Sequence, residues 1–195
     1  EKAFTPSEKA GSVELSFTLD SALLEGKTVV TFEELYHNKI LVAIHADIED
    51  KDQSIHYPEI RTNAHDGKTK DEVGTVLTET TIIDTVTYKN LVPGDHYKVS
   101  GILMNKGTGK PVLGRDGKEI AASAEFDAKE AEGSIEMVFT LDADILSGEL
   151  AENAGVVFED LFNNGVKVAS HADLEDADQT VFYPAITTDA KDGLT

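Results

Sequence analysis

A unit that occurs twice constrains this chain more than any other feature. The stretch TFEELYHNKILVAIHADIEDKDQ, Thr31 to Gln53, returns as VFEDLFNNGVKVASHADLEDADQ, Val157 to Gln179. Upstream, Phe4, Ser12 and Phe17-Thr18-Leu19-Asp20 return as Phe126, Ser134 and Phe139-Thr140-Leu141-Asp142, with a small insertion around Glu149 to Asn153. Both copies close on Tyr-Pro, at Tyr57-Pro58 and Tyr183-Pro184. Self-similarity on this scale implies two structural units of one kind. The second copy is preceded by residues 59–125, to which nothing before Lys2 corresponds. The expected organisation is therefore a complete domain over 59–184 and the C-terminal half of a sister domain over 1–58. Residues 185–195 would open a linker or a next domain. A half domain leaves strand edges and an apolar face uncovered. A start at Glu1 rather than Met reads as a piece of something longer.

The local signals are β throughout. Thr78 to Tyr88, Tyr97 to Met104, Ser134 to Leu141, Val156 to Leu161 and Thr180 to Tyr183 are rich in Val, Ile, Thr, Phe and Tyr. Turn chemistry separates them: Pro93-Gly94-Asp95, Gly107-Thr108-Gly109, Arg115-Asp116-Gly117 and Asn163-Asn164-Gly165. Asp142 to Leu150 has room for one or two helical turns. Short strands at this spacing predict all-β, immunoglobulin-like antiparallel sandwiches in tandem. The polar, turn-rich stretch Arg61 to Gly74 is where the junction between units is expected.

Charge narrows the function. With 17 basic and 37 acidic residues the formal charge is −20, which argues against nucleic acid and anionic membranes as partners. A hydrophobic content of 40% supports a packed core rather than a disordered acidic tail. No apolar run approaches the length that spans a bilayer. There is no cysteine, so disulfides and thiolate metal sites are excluded. Any covalent staple must come from other side chains.

Strand alternation singles out particular polar residues. Asp84 shares a face with Ile82, Val86 and Tyr88, and Glu159 with Val157 and Leu161. Gln179 lies with Val181 and Tyr183, and Thr62 with Ile60 and Ala64. Glu33 repeats the pattern of Glu159 beside Val29 and Leu35. Singly, each could sit on a wet edge strand. Together, buried on core faces, they are expensive unless they meet one another. The acids Asp173, Glu175, Asp176 and Asp178 read as a solvated loop. They also read as oxygen ligands for calcium, though without the Gly and terminal Glu of an EF-hand.

The VFE, HADLEDADQTV and IIDTVTY stretches together resemble the ester-bond domains (VaFE repeats) of Gram-positive surface adhesins, over nearly the whole chain. In that family a first-strand Thr and a last-strand Gln are joined by an intramolecular ester, formed autocatalytically with loss of ammonia. The resemblance places the crosslink at Thr62 and Gln179, with Thr69 and Thr75 as alternatives for the hydroxyl. It places the assisting groups at Asp84, Glu159 and His171. The first unit would carry only Glu33, His45 and Gln53, an idle site in which Gln53 stays an amide. Thr188, aligned with Thr62, would serve a following domain.

The implied chemistry is physically coherent. A Thr hydroxyl is a poor nucleophile and an amide a poor electrophile, so the pair needs help. Two carboxyl groups forced together in an apolar core share a proton, leaving one able to act as base and the other as acid. His171 would polarise the Gln179 carbonyl oxygen. The resemblance thus implies a stalk repeat of a cell-wall-anchored adhesin outside the cell. It would be a single-turnover protein rather than an enzyme, without cofactor or metal. Its neighbours would be adjacent repeats, any host ligand being bound elsewhere. A plain immunoglobulin-like spacer and a calcium-dependent binding module are the alternatives. An isopeptide is disfavoured, because the last strand offers Gln179 rather than Asn or Asp.

Overall fold

The computed structural model describes residues 1–76, 79–150, 153–191 and 193. Alternating apolar and polar residues over residues 59–183 fold into two antiparallel sheets packed face to face. One sheet contains β5 (Glu59–Asp66), β6 (Thr80–Lys89) and β10 (Gly133–Leu141), in the order β10-β6-β5. The other is built on β7 (His96–Asn105) and β11 (Asn153–Asn163), paired from Gly155↔Asn105 to Asn163↔Tyr97. The short β8 (Lys110–Pro111) and β9 (Ala121–Asp127) continue it beyond β7. Two strands share the other edge of β11. β12 (Val166–His171) takes the C-terminal half and β13 (Thr180–Tyr183) the N-terminal half. The one helix among the described residues of this unit, α1 (Ala143–Ser147), is capped by the Asp142 carboxylate, which accepts from the Asp144 and Ile145 amides.

The core lies between the sheets. Ile60, Ile82, Val86, Leu103, Phe139, Leu161 and Val181 are essentially inaccessible. Every second residue of β5 and β6 points into this layer, which carries Thr62 and Asp84 inward with their apolar neighbours. The all-β sandwich expected from the strand pattern is the fold observed. Thr78 and part of the Glu149–Asn153 insertion lie outside the described residues.

The stretch Arg61 to Gly74, expected to hold the junction, is in its first part a strand of the sandwich. Arg61 to Gly74 has linker-like composition, yet Glu59–Asp66 is the first strand of the sandwich and the units meet at Tyr57-Pro58. The reason is Ile60, Thr62, Ala64 and Asp66, an alternating inward row that pairs with β6. The turn-rich part is confined to residues 67–76. There the backbone of Glu72 and Gly74 brackets Phe182 of β13 through Phe182 N–H to Glu72 O (2.7 Å) and Gly74 N–H to Phe182 O (2.8 Å).

The first unit repeats the pairing of the second. β1 (Thr28–Val30) pairs with β4 (Ser54–His56), and β2 (Glu33–His37) with β3 (Ile40–His45). The registers coincide: Glu33↔His45 matches Glu159↔His171, with a bulge after Leu35 where the other copy has one after Leu161. By contrast Ser12 to Leu19, the counterpart of β10, forms no strand. Asn90 stitches the two units together. At a positive φ of 60°, a conformation Asn tolerates, its amide donates to Lys27 O (2.8 Å) and Tyr57 O (3.1 Å). Its carbonyl oxygen accepts from the Thr28 hydroxyl at 2.9 Å and lies 3.1 Å from His56 Nδ1.

Candidate functional site

Four strands deliver one polar cluster into the apolar layer. β5 contributes Thr62, β6 Asp84 and β11 Glu159, while Gln179 precedes β13. Asp84 and Gln179 have no accessible surface, Glu159 has 1% and Thr62 8%. The Thr62 hydroxyl donates to Glu159 Oε2 at 3.3 Å, and Gln179 Nε2 donates to the same oxygen at 2.9 Å. One carboxylate oxygen thus touches both the would-be nucleophile and the nitrogen that would leave. The Ala64 amide, hydrogen-bonded to Asp178 O at 2.8 Å, fixes β5 beside the residue that precedes Gln179.

The remaining oxygens call for a proton. Glu159 Oε1 and both Asp84 oxygens are buried with no donor among the described residues. Two ionised carboxylates cannot hydrogen-bond each other, whereas one proton between them satisfies the pair. Burial pushes both groups up from the usual carboxylate range, Asp84 to about 6 and Glu159 to about 10, the Asp84 charge adding to the rise at Glu159. Both shifts run the same way, so the pair favours holding a proton over carrying two charges.

His171 stands opposite Glu159 in the β11–β12 pairing. It does not hydrogen-bond the Gln179 carbonyl, as the chemistry would ask: Gln179 Oε1 is buried with no donor among the described residues. His171 Nε2 lies instead 2.8 Å from Asp176 Oδ2. Asp176 reads in sequence as one acid among several in a loop, and strand periodicity is blind to it. Here it holds the imidazole, its Oδ1 accepts from the Asp178 amide (2.9 Å), and its carbonyl accepts from Thr180 Oγ1 (2.5 Å). It therefore joins His171 to the turn that carries Gln179. The repeat contained the signal: five residues also separate His45 from Asp50, and His45 Nε2 lies 2.9 Å from Asp50 Oδ2.

The alternative hydroxyls lie elsewhere. Thr69 and Thr75 belong to a cluster around buried Asp66, which accepts from the amides of Lys68, Thr69 and Thr75 and from Thr80 Oγ1. Burial raises the Asp66 pKa, but these hydrogen bonds outweigh it and hold the group below its ordinary value. Among the described residues no set of three or more His, Cys, Asp or Glu side chains converges to hold a metal. Asp173 and Asp176 spend an oxygen each on the amides of Glu175 and Asp178.

In the first unit Glu33 and His45 keep their register but sit in the open, with side chains 34% and 53% exposed. Gln53 Oε1 accepts from the Thr31 hydroxyl at 2.5 Å, where the second unit has Val157. Thr188 lies in an exposed terminal segment without strand structure.

A family model for the T-Q ester bond containing domain matches residues 1–57 and, again, 58–183. The chain belongs to the T-Q ester bond domain family. Solved structures similar to these T-Q ester bond units include a bacterial adhesin from Mobiluncus mulieris containing intramolecular disulfide, isopeptide and ester bond cross-links. One crystal form aligns with a TM-score of 0.55 at 20% identity, covering 66% of this chain and 58% of that one. A second form gives 0.53 and 20%, covering 64% and 56%. The T-Q ester bond chain thus spans less than two thirds of that adhesin. No curated protein matches it at the sequence level.

Proposed function

We propose that the chain is a structural stalk segment of a bacterial cell-surface adhesin whose complete unit crosslinks itself once, through an ester between Thr62 and Gln179. The observation that carries this reading is the meeting of the Thr62 hydroxyl and the Gln179 amide on a single buried oxygen, Glu159 Oε2. Family membership and the likeness to an ester-containing adhesin support it.

The geometry suggests the steps. Thr62 Oγ1 attacks the Gln179 amide carbon as Glu159 Oε2 takes the hydroxyl proton, and the proton Glu159 shares with Asp84 shifts toward Asp84. The C–N bond then breaks, Glu159 Oε2 hands its proton to the departing nitrogen, and ammonia leaves. One C–O bond replaces one C–N bond and the dyad returns to its starting protonation. Alignment of groups by the fold contributes about 7–11 kcal/mol in favourable intramolecular reactions, which suits a single-turnover reaction. His171, held by Asp176, stabilises charge on the dyad.

The mechanical consequence follows from position. β5 and β13 are the first and last strands of the unit, so an ester from Thr62 within β5 to Gln179 just ahead of β13 carries tension directly. As a staple over so long a loop it stabilises by about 4–5 kcal/mol in the loop-closure model. Peptide mapping tests the assignment. The reading requires a branched peptide joining Thr62 to Gln179 and opened by hydroxylamine; two separate unmodified peptides would exclude it.

A further inference from the structure

The crosslinking steps leave one buried acid unused. Asp66 has no accessible surface, and its carboxylate gathers the loop that follows β5. The amides of Lys68 and Thr69 donate to Oδ1 at 2.9 and 3.0 Å, the Thr75 amide and the Thr80 hydroxyl to Oδ2 at 3.3 and 2.8 Å. Its backbone closes the same turn: Asp66 N–H donates to Asp71 O, and Asp66 O accepts from the Lys70 amide, both at 2.9 Å. A buried charge is retained where such donors replace water, so residues 67–75 are shaped around it. Asp66-Gly67-Lys68-Thr69 returns in the sequence as Asp192-Gly193-Leu194-Thr195, aligned as Thr62 is with Thr188.

What the loop grips is the last strand. β13 runs only from Thr180 to Tyr183, and β11 pairs with one of its edges. On the other edge Val73 bridges Phe182 in parallel, through Phe182 N–H to Glu72 O and Gly74 N–H to Phe182 O. Gly74 permits the approach, since a Cβ there would lie 2.3 Å from Tyr183 Cε1. So short a strand, paired on one edge alone, frays readily. Gln179 stands immediately before it, and its own backbone bond to β11 is long, Val157 N–H to Gln179 O at 3.3 Å. Fraying of β13 therefore lifts the amide nitrogen off Glu159 Oε2, which it meets at 2.9 Å.

We propose that residues 67–75 are a strap, latched by Asp66, that clamps β13 against β11 and so keeps the Gln179 amide on Glu159 until the ester forms. Asp66 is then a positioning residue: it touches no reacting atom and acts through the strap. This role rests on the function proposed above.

Two measurements separate the strap from the chemistry. In a Thr62→Ala background, where no bond forms, Asp66→Asn should quicken hydrogen exchange of the Phe182 amide by about tenfold or more, as local opening does. With Thr62 present, the same substitution should slow ammonia loss after refolding by about tenfold or more, because small displacements of reacting groups are that costly. Gly74→Ala should do both with the Asp66 hydrogen bonds intact, and it decides the matter if Asp66→Asn does not fold. Thr80→Val keeps the shape but not the hydroxyl and should also slow the reaction, whereas Thr80→Ser should restore it; a role in packing alone predicts the reverse order. Leu91→Ala, a cavity in the core between β6 and β7, should lower overall stability and leave the rate of ammonia loss unchanged. Unchanged Phe182 exchange in Asp66→Asn and Gly74→Ala would overturn the strap. Normal ammonia loss with the Phe182 amide unprotected, or an equal slowing by Leu91→Ala, would overturn the positioning role. A wild-type chain that loses no ammonia would overturn that role together with the function it rests on, a result distinct from unchanged exchange.

Discussion

At the scale of single residues, the account turns on two carboxyl groups without room for two charges. Glu159→Gln keeps the shape and the hydrogen bond to Thr62 but cannot take its proton; Asp84→Asn removes the partner of the shared proton. Either change should slow crosslinking by about 10²–10⁴-fold. Time-resolved denaturing mass spectra after refolding would measure this, and a normal rate in Glu159→Gln would remove the dyad from the mechanism. The same burial sets a pH dependence. Both pKa values lie higher in the fold than in the unfolded chain, so the folded state binds more protons at neutral pH. Their contribution to stability is present below the ordinary carboxylate range and is lost as pH rises through the folded values. In a Thr62→Ala background, free of the crosslink, the melting temperature should fall between about pH 5 and about pH 9, and adding Glu159→Gln should flatten the fall. Alternation in the sequence makes Thr62, Asp84, Glu159 and Gln179 legible as inward residues, because a strand's period fixes which side faces the core. Asp176 is not legible that way, since it sits in a loop whose geometry depends on a cross-strand histidine.

At the scale of elements, β11 organises the site by pairing with three strands. Across from Glu159 in β7 stands Gly101, where a Cβ would lie 2.7 Å from Phe139 Cζ and 2.8 Å from Met137 Cε. The missing side chain lets Phe139 and Met137 pack against the β7 backbone there. Gly101→Val should destabilise the Thr62→Ala protein by about 1–3 kcal/mol, as overpacking does, read from urea unfolding; unchanged stability would mean the packing there is loose. Strand existence was legible from β-branched and aromatic runs. The extent of β5 was not, because Arg61, Asn63 and Asp66 carry linker-like composition on a strand whose partner, β6, lies some twenty residues away in sequence.

At the scale of the whole molecule, the units are joined at Tyr57-Pro58 and held by Asn90. Asn90→Gly keeps the positive φ and removes the side-chain bonds to Lys27, Tyr57 and Thr28. At about 1 kcal/mol for a net hydrogen bond, exchange of the Tyr57 amide, which donates to Lys27 O at 3.0 Å, should quicken by roughly fivefold or more. Unchanged exchange would show that the backbone alone holds the joint. The repeat made the two units legible, but not this contact, which links residues 33 and 63 positions apart and has no local signature. The central claim, that the second unit consumes Gln179 to bind Thr62, meets its most direct test in the intact mass of the denatured chain. A mass one ammonia below that of the sequence, restored in full by Thr62→Ala, is the predicted result; a wild-type chain at its full sequence mass would contradict the account.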